Sequence, residues 1–384
     1  MKARLRTGPA LARLATSTAD ISRYAPLRYQ PVHENAEGWV VAGPDDVAAA
    51  LSSAALTVAA AGEPSGAAHR LQAQMARFSD GAAHQRRRAL VQALLPDAAG
   101  LERAAWSMTS AGLAGRRRRR DAMELARWVP CAVLAAALGV APEAVGPVAG
   151  LTGHLCAALA PRTDDAGQVS GSVPAQGDAA ATALLAALAA PGRPAGPGGP
   201  AGPGRSDGSG GSSGSSEADE PAGTAGEHGL GGVHGEERAV AAASILFQAR
   251  DATAGLIGLA LSAAAGHPQA TAADLVGLAE RADPPVQCTR RVAARPVTIG
   301  GVTIPAGALV WVLLATADRG DPWPPATFGG GPHACPGRPT ATALARGVVG
   351  AILDGGWRPV PGLAPGYEPR PNLRIPVSVL LERS

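Results

Sequence analysis

Residues 237 to 266, ERAVAAASILFQARDATAGLIGLALSAAAG, keep an apolar pattern of helical period with no proline to break it. At 1.5 Å per residue they predict one helix of roughly 45 Å. A helix that long crosses a whole domain, so the rest of the chain has to be arranged around it. One polar interruption, Gln248 through Thr253, falls inside its apolar stretch.

Length and charge narrow what surrounds that helix. The chain has 384 residues, enough to bury a sizeable core. Its 34 basic and 31 acidic side chains leave a net charge of +3, no global reason to expect nucleic acid or a membrane surface as partner. No run approaches the roughly 18 to 20 uninterrupted apolar residues of a membrane span. The N-terminus MKARLRTGPALARLA lacks the long apolar core of a secretory leader. Cys131, Cys156, Cys288 and Cys335 are scattered without a CxxC pair. That argues against a disulfide framework or a structural zinc site and fits a reducing compartment, so the expected localisation is cytoplasmic. The run Arg116 to Arg120 reads as a solvated loop.

Most segments ahead of the long helix are also helical in pattern. WVVAGPDDVAAALSS (39–53) predicts a short strand, a turn and a helix capped by Asp45 or Asp46. HQRRRALVQALL (84–95) is amphipathic and ends at Pro96. MELARWVPCAVLAAALG (123–139) is strongly apolar and closed by Gly139, and AAATALLAALAA (179–190) is a further helix. Residues 191 to 237 are dominated by Gly, Pro and Ser, with nothing to offset the entropy of ordering, and read as a disordered loop or linker. Beyond the long helix, ADLVGLAERA (273–282) is a helix stopped by Pro284 and Pro285. PVTIGGVTIPAGALVWVLL (296–314) predicts strand, turn and strand around Gly300 and Gly301. The class is mainly α with small β-sheets.

Chemistry concentrates in FGGGPHACPGR (328–338), where one cysteine sits in a glycine-lined turn that opens the helix TATALARGVVGAILDGG (340–356). A thiolate there gains from the helix dipole and from loop amides aimed at the sulfur. The glycines let a large flat group approach the backbone closely. Phe328 can shield the sulfur, and His333 can reach an anionic group at the rim.

Those residues resemble the haem-binding loop of the cytochrome P-450 family, F-x-x-G-x-H-x-C-x-G, with Phe328, Gly331, His333, Cys335 and Gly337 in its five fixed positions. The resemblance extends over most of the chain. His84 and Arg88 reproduce an H-x-x-x-R whose members share one helix face and, in the family, hold a haem propionate. Arg291, in DPPVQCTRR (283–291), takes the place of another propionate ligand. The resemblance implies haem b with Cys335 as axial ligand to iron. It also makes residues 1–384 a single domain of the cytochrome P-450 fold, with 191–237 as an insertion before the long helix.

Three departures from the family pattern stand out. The glutamate of the E-x-x-R helix is replaced by Leu278, three residues before Arg281, and Glu280 lies about 100° around the helix. The meander ahead of the cysteine loop is shortened to ADRGDPWPPAT, so Arg281 is expected to lack both usual partners. The long helix carries Asp251 and Ala252 where the family has an acid and an alcohol that serve proton delivery during dioxygen activation, with Thr253 one place later. Arg250 could pair with Asp251 or face solvent.

What the resemblance implies is a haem-thiolate monooxygenase or oxidase that tailors a small organic, secondary-metabolite substrate, free or tethered to a carrier protein. Electrons would come from a ferredoxin-type donor, for which Arg86 and Arg87 offer a basic docking surface. Asp251, Ala252 and Thr253 are the catalytic candidates, and Phe247, Ala249, Val286 and Gln287 would line the substrate pocket. Ala252 leaves open redox-neutral or peroxide-dependent chemistry. The altered E-x-x-R helix leaves open a non-catalytic scaffold that binds a biosynthetic partner.

Overall fold

The computed structural model describes residues 25–35, 37–58, 65–115, 117–160, 162–163, 169–170, 175–189, 235–370 and 372–383. A hairpin of β1 (His33–Asn35) and β2 (Gly38–Val41) leads into α1 (Pro44–Ser52). The N-cap of α1 is Gly43 rather than Asp45 or Asp46. Pro44 has no N–H to satisfy and a φ suited to the first helical position, which places the cap just before it. The two aspartates occupy the first turn instead, at the positive end of the helix dipole.

Next come β3 (Leu56–Val58), α2 (Ala67–Gln74), α3 (Gly81–Leu94), α4 (Ala98–Leu113), β4 (Arg119–Asp121), α5 (Ala122–Ala137) and α6 (Pro142–Leu159). The glycine stop predicted for α5 is present: Gly139 has φ 88°, and the Gly139 and Val140 amides donate to Ala136 O and Ala135 O. A two-residue ladder, β5 (Arg162–Thr163) with β6 (Val169–Ser170), precedes α7 (Ala175–Ala189). The Gly/Pro/Ser-rich tract lies outside the described residues except at its end. Residues 235–237 are helical and open the next element.

That element is α8 (Gly235–Ala264), the 30-residue helix expected from the sequence. It packs against α2, α3, α5, α6 and α7, and against α9 (Ala272–Arg281) and α10 (Arg338–Asp354). With only 3% aromatic residues in the chain, these contacts are made largely by Ala, Leu and Gly. Backbones come close as a result. A Cβ at Gly258 would stand 2.6 Å from Met123 Sδ and 3.0 Å from Pro376 Cγ. At Gly347, where α10 crosses α4, a Cβ would lie 2.8 Å from Ala105 Cβ and run into Glu102 O.

The main sheet has the order β1-β2-β10-β7-β3, with β7 at Cys288–Ala293 and β10 at Leu309–Leu313. The strand–turn–strand predicted over 296–314 resolves into two units. A separate hairpin, β8 (Val297–Ile299) with β9 (Val302–Ile304), turns on Gly300 (φ 56°) and Gly301 (φ 76°), both in the left-handed region that two-residue hairpin turns require. Pro305 and Gly307 (φ 78°) then re-aim the chain into β10. A third sheet orders β11 (Trp357–Pro359), β12 (Leu380–Arg383) and β4. Arg119 and Arg120 therefore belong to a strand rather than to a loop, and Arg119 pairs with Glu382 at 3.6 Å. Among the described residues, no helix is long and apolar enough to cross a membrane.

Candidate haem-thiolate site

The cysteine loop is built from two short 3-10 turns, Ala326–Phe328 and Gly331–His333, followed directly by α10. The Cys335 amide donates to Phe328 O at 2.8 Å, so the loop closes on itself around the thiol. Gly331 has φ 61°, and a Cβ on it would run into Leu51 O, so the loop lies directly on the end of α1. Gly337 is the N-cap of α10, and its amide donates towards Cys335.

Of the four cysteines, Cys335 alone is exposed. Burial pushes the Cys131 and Cys288 thiols up to about 12 and Cys156 well above its ordinary value, which leaves them inert. Cys335 is also raised by the protein around it, but the Gly337 amide and the Arg77 and Arg88 guanidiniums pull in the opposite direction. A thiol that is accessible and yet surrounded by protein faces a cleft.

Cations and imidazoles gather at the same place. His84 is 5% exposed, with Nδ1 at 2.9 Å from Ala76 O and Nε2 at 3.1 Å from Pro332 O. Its ring centroid is 4.0 Å from that of His333, whose Nε2 meets Asp80 Oδ1 at 3.1 Å. Burial, then the neighbouring His84, holds His333 below the usual imidazole value. Arg291 is buried, donates to Thr289 Oγ1 and Arg290 O, and is pushed down to about 10 by burial and then by Arg77. Arg88, one turn along α3 from His84, acts on the Cys335 thiol.

The structure thus brings together eight of the sequence-predicted residues: His84, Arg88, Arg291, Phe328, Gly331, His333, Cys335 and Gly337. It adds Arg77, which no motif pointed to. Arg77 lies in the 3-10 turn whose Ala76 carbonyl holds His84, and its nearest charged influences are Cys335 and Arg290. Among the described residues, neither Arg77 nor Arg88 makes a hydrogen bond or an ion pair with another side chain. An accessible thiol beside two guanidiniums with no acidic partner among the described residues fits a flat ligand with a cationic centre and carboxylates at its edge. Haem has that form. Phe328, half-buried beside the loop, is covered by the Arg338 guanidinium at 5.7 Å.

On the opposite wall, α8 is buried along 239–246 and again along 253–261, but residues 247–252 are all half-buried. A window of this kind in the middle of a core helix opens onto an internal space. Phe247, Ala249 and Ala252 lie in it, whereas Thr253 is 1% exposed with its hydroxyl unpartnered among the described residues. Asp251 is in the window but engaged: Arg250 Nη1 stands 2.6 Å from one carboxylate oxygen and Arg370 Nη2 3.4 Å from the other. Arg370 also bonds Glu368, which in turn bonds Arg127, so five charged groups form one chain. Val286 is half-buried and bridges Leu373, and Gln287 is 1% exposed with its amide donated to Pro284 O.

Arg281, without the family's usual partners, has others: Asp318 Oδ1 lies at 2.9 Å, Asp321 Oδ1 at 2.7 Å and Trp323 O at 2.9 Å from its guanidinium. The shortened segment itself supplies the acids. Arg86 faces Glu237 at 4.0 Å and Arg87 donates to Ala73 O, and both line a pocket of about 310 Å³ between α3 and the start of α8.

No family model matches the sequence, and no curated protein matches it. Solved structures do match. P450BioI, in complex with an acyl carrier protein ligated by hexadec-9Z-enoic acid, has a TM-score of 0.73 at 18% identity and covers 94% of this chain and 97% of that one. CalO2 has a TM-score of 0.72 at 22% identity, over 94% of this chain and 95% of its own. Cytochrome P-450 CYP109Q5 from Chondromyces apiculatus has a TM-score of 0.66 at 22% identity, over 98% and 96%. The architecture is therefore one shared with bacterial proteins of mainly helical fold. It is the cytochrome P-450 fold, present over nearly the whole chain.

Proposed function

We propose that this chain is a haem-thiolate oxidoreductase, with Cys335 as axial ligand, that tailors a small organic substrate. The observation that carries this reading is the single exposed cysteine in a glycine loop, with the Arg77 and Arg88 guanidiniums beside it. Bound there, haem with a thiolate ligand supplies the electron push that favours O–O bond cleavage. His84, Arg88, Arg291 and His333 would hold the carboxylate edge, and Phe328 would shield the sulfur. The window of α8 would face the substrate, with Phe247, Ala249 and Val286 around it. A carrier-protein-tethered substrate is in keeping with the acyl carrier protein in the P450BioI structure, and a ferredoxin-type donor would supply electrons. The test is a carbon-monoxide difference spectrum of the dithionite-reduced protein. A strongly red-shifted Soret band supports the reading; well-folded protein with no haem removes it and leaves a partner-binding scaffold.

A second reading keeps the haem but not the ordinary activation of dioxygen, and Asp251 favours it. The Asp251 carboxylate is engaged by Arg250 and Arg370 rather than free in the window, while Ala252 has no hydroxyl to relay a proton. The chemistry would then be redox-neutral or peroxide-driven. Restoring the alcohol discriminates: under dioxygen and an electron donor, Ala252→Thr should lower hydrogen peroxide release several-fold. Unchanged release in Ala252→Thr would mean that the missing hydroxyl is not what limits proton delivery.

A further inference from the structure

The residue pair Glu280–Arg281 ends α9 and reaches both sides of the cysteine loop. Arg281 bonds the stretch before it, at Asp318, Asp321 and the Trp323 carbonyl. Glu280, 6% exposed, accepts from Thr342 Oγ1 at 2.6 Å, and Thr342 lies in α10 just beyond the loop. Between these anchors, Pro324 and Pro325 stiffen the link from Trp323 to the turn Ala326–Phe328. Phe328 O then receives the Cys335 amide. Just after α9, Val286 is tied to the Thr327 hydroxyl, a third contact from the same segment onto the same loop.

We propose that Glu280 and Arg281 act as positioning residues, a two-sided clamp that fixes where the Cys335 sulfur stands relative to the cleft. Arg281 holds the approach to the loop through Asp318 and Asp321, and Glu280 holds the exit through Thr342. Adjacent residues point roughly 100° apart on a helix, which is why one helix end can grip two segments at once. Asp318 carries more of the Arg281 contact than Asp321. Its side chain is 19% exposed against 91%, its own Oδ2 accepts the Gly320 amide, and its carbonyl accepts Arg28. An exposed pair such as Arg281–Asp321 contributes little by itself. The Glu280–Thr342 bond is short and partly buried, with Glu280 itself 6% exposed, so its loss is felt at α10.

This inference rests on the haem reading, and the experiment separates the two. Apoprotein is titrated with haemin in the wild type, Thr342→Val, Thr342→Ser and the double variant Asp318→Asn/Asp321→Asn, alongside apoprotein unfolding midpoints and reduced carbon-monoxide spectra. Thr342→Val and the double variant should retain haemin about 10- to 100-fold more weakly, the range seen when outer supports of a metal ligand are removed. Their spectra should lose part of the red-shifted band while the apoprotein midpoint holds, and Thr342→Ser, which keeps the hydroxyl, should restore both. Wild-type affinity and spectrum in both weakened variants would overturn the clamp. So would a midpoint that falls in step with affinity, because the residues would then serve the fold alone. Wild-type protein that binds no haemin would instead remove the haem reading, and the clamp with it.

Discussion

Cys335→Ala should abolish the red-shifted Soret band of the reduced, carbon-monoxide-bound protein while leaving the fold intact. No other sulfur can take over. Cys131, Cys156 and Cys288 are buried, and their thiols are held far above neutral pH. The nearby imidazoles are engaged as well, His84 with two carbonyls and His333 with Asp80. Cys335 is exposed, so trading its thiol for a methyl group should change stability by no more than about 0.5 kcal/mol. The paired measurement is the difference spectrum and the unfolding midpoint. A red-shifted band that survives in Cys335→Ala would place the thiolate elsewhere and undo the site as described.

Gly331→Ala is the second large effect, and it acts on the same loop without touching its chemistry. An alanine at φ 61° costs about 1–2 kcal/mol in backbone strain. The added methyl also meets Leu51 O, a backbone atom on α1 that has no rotamer to yield, which adds about 1–3 kcal/mol. Haem retention should fall together with stability, since the loop has to lift from α1. The neighbouring Gly330 provides the control: its φ of −161° is ordinary extended backbone, and a Cβ there would stand 3.4 Å from Leu51 Cδ1. Gly330→Ala should therefore be close to neutral. Equal unfolding midpoints for the two variants would refute this account of the loop.

What could be read from the sequence was local. The five fixed positions of the cysteine loop fall within eleven residues of text, FGGGPHACPGR, and His84 and Arg88 are one helical turn apart. The long helix announced itself by period alone, and the β8–β9 turn by its two glycines. What escaped depends on partners brought together by folding. Asp251 meets Arg370 across 119 positions, and Arg281 meets Asp318 and Asp321 across 37 and 40. A family pattern tells which partner is missing but not which one has replaced it. Arg77 had no periodicity or motif to mark it, because a 3-10 turn of three residues carries neither.

The alanine- and glycine-rich contacts around α8 and α10 give this molecule an unusual asymmetry towards changes of volume. Most core proteins are hurt chiefly by deletion, since a truncated leucine leaves a hole that the surroundings only partly fill. An alanine has almost nothing to delete. Where backbones touch across Gly258 and Gly347, the shape of the core is set by main chain meeting main chain, with little side-chain freedom left to absorb an added group. The buried leucines of the same helices, Leu246, Leu256 and Leu261 among them, keep the usual cost of truncation, but at these two crossings a single added methyl group should not be tolerated. A library of random substitutions at Gly258 and Gly347 would be filtered first by size.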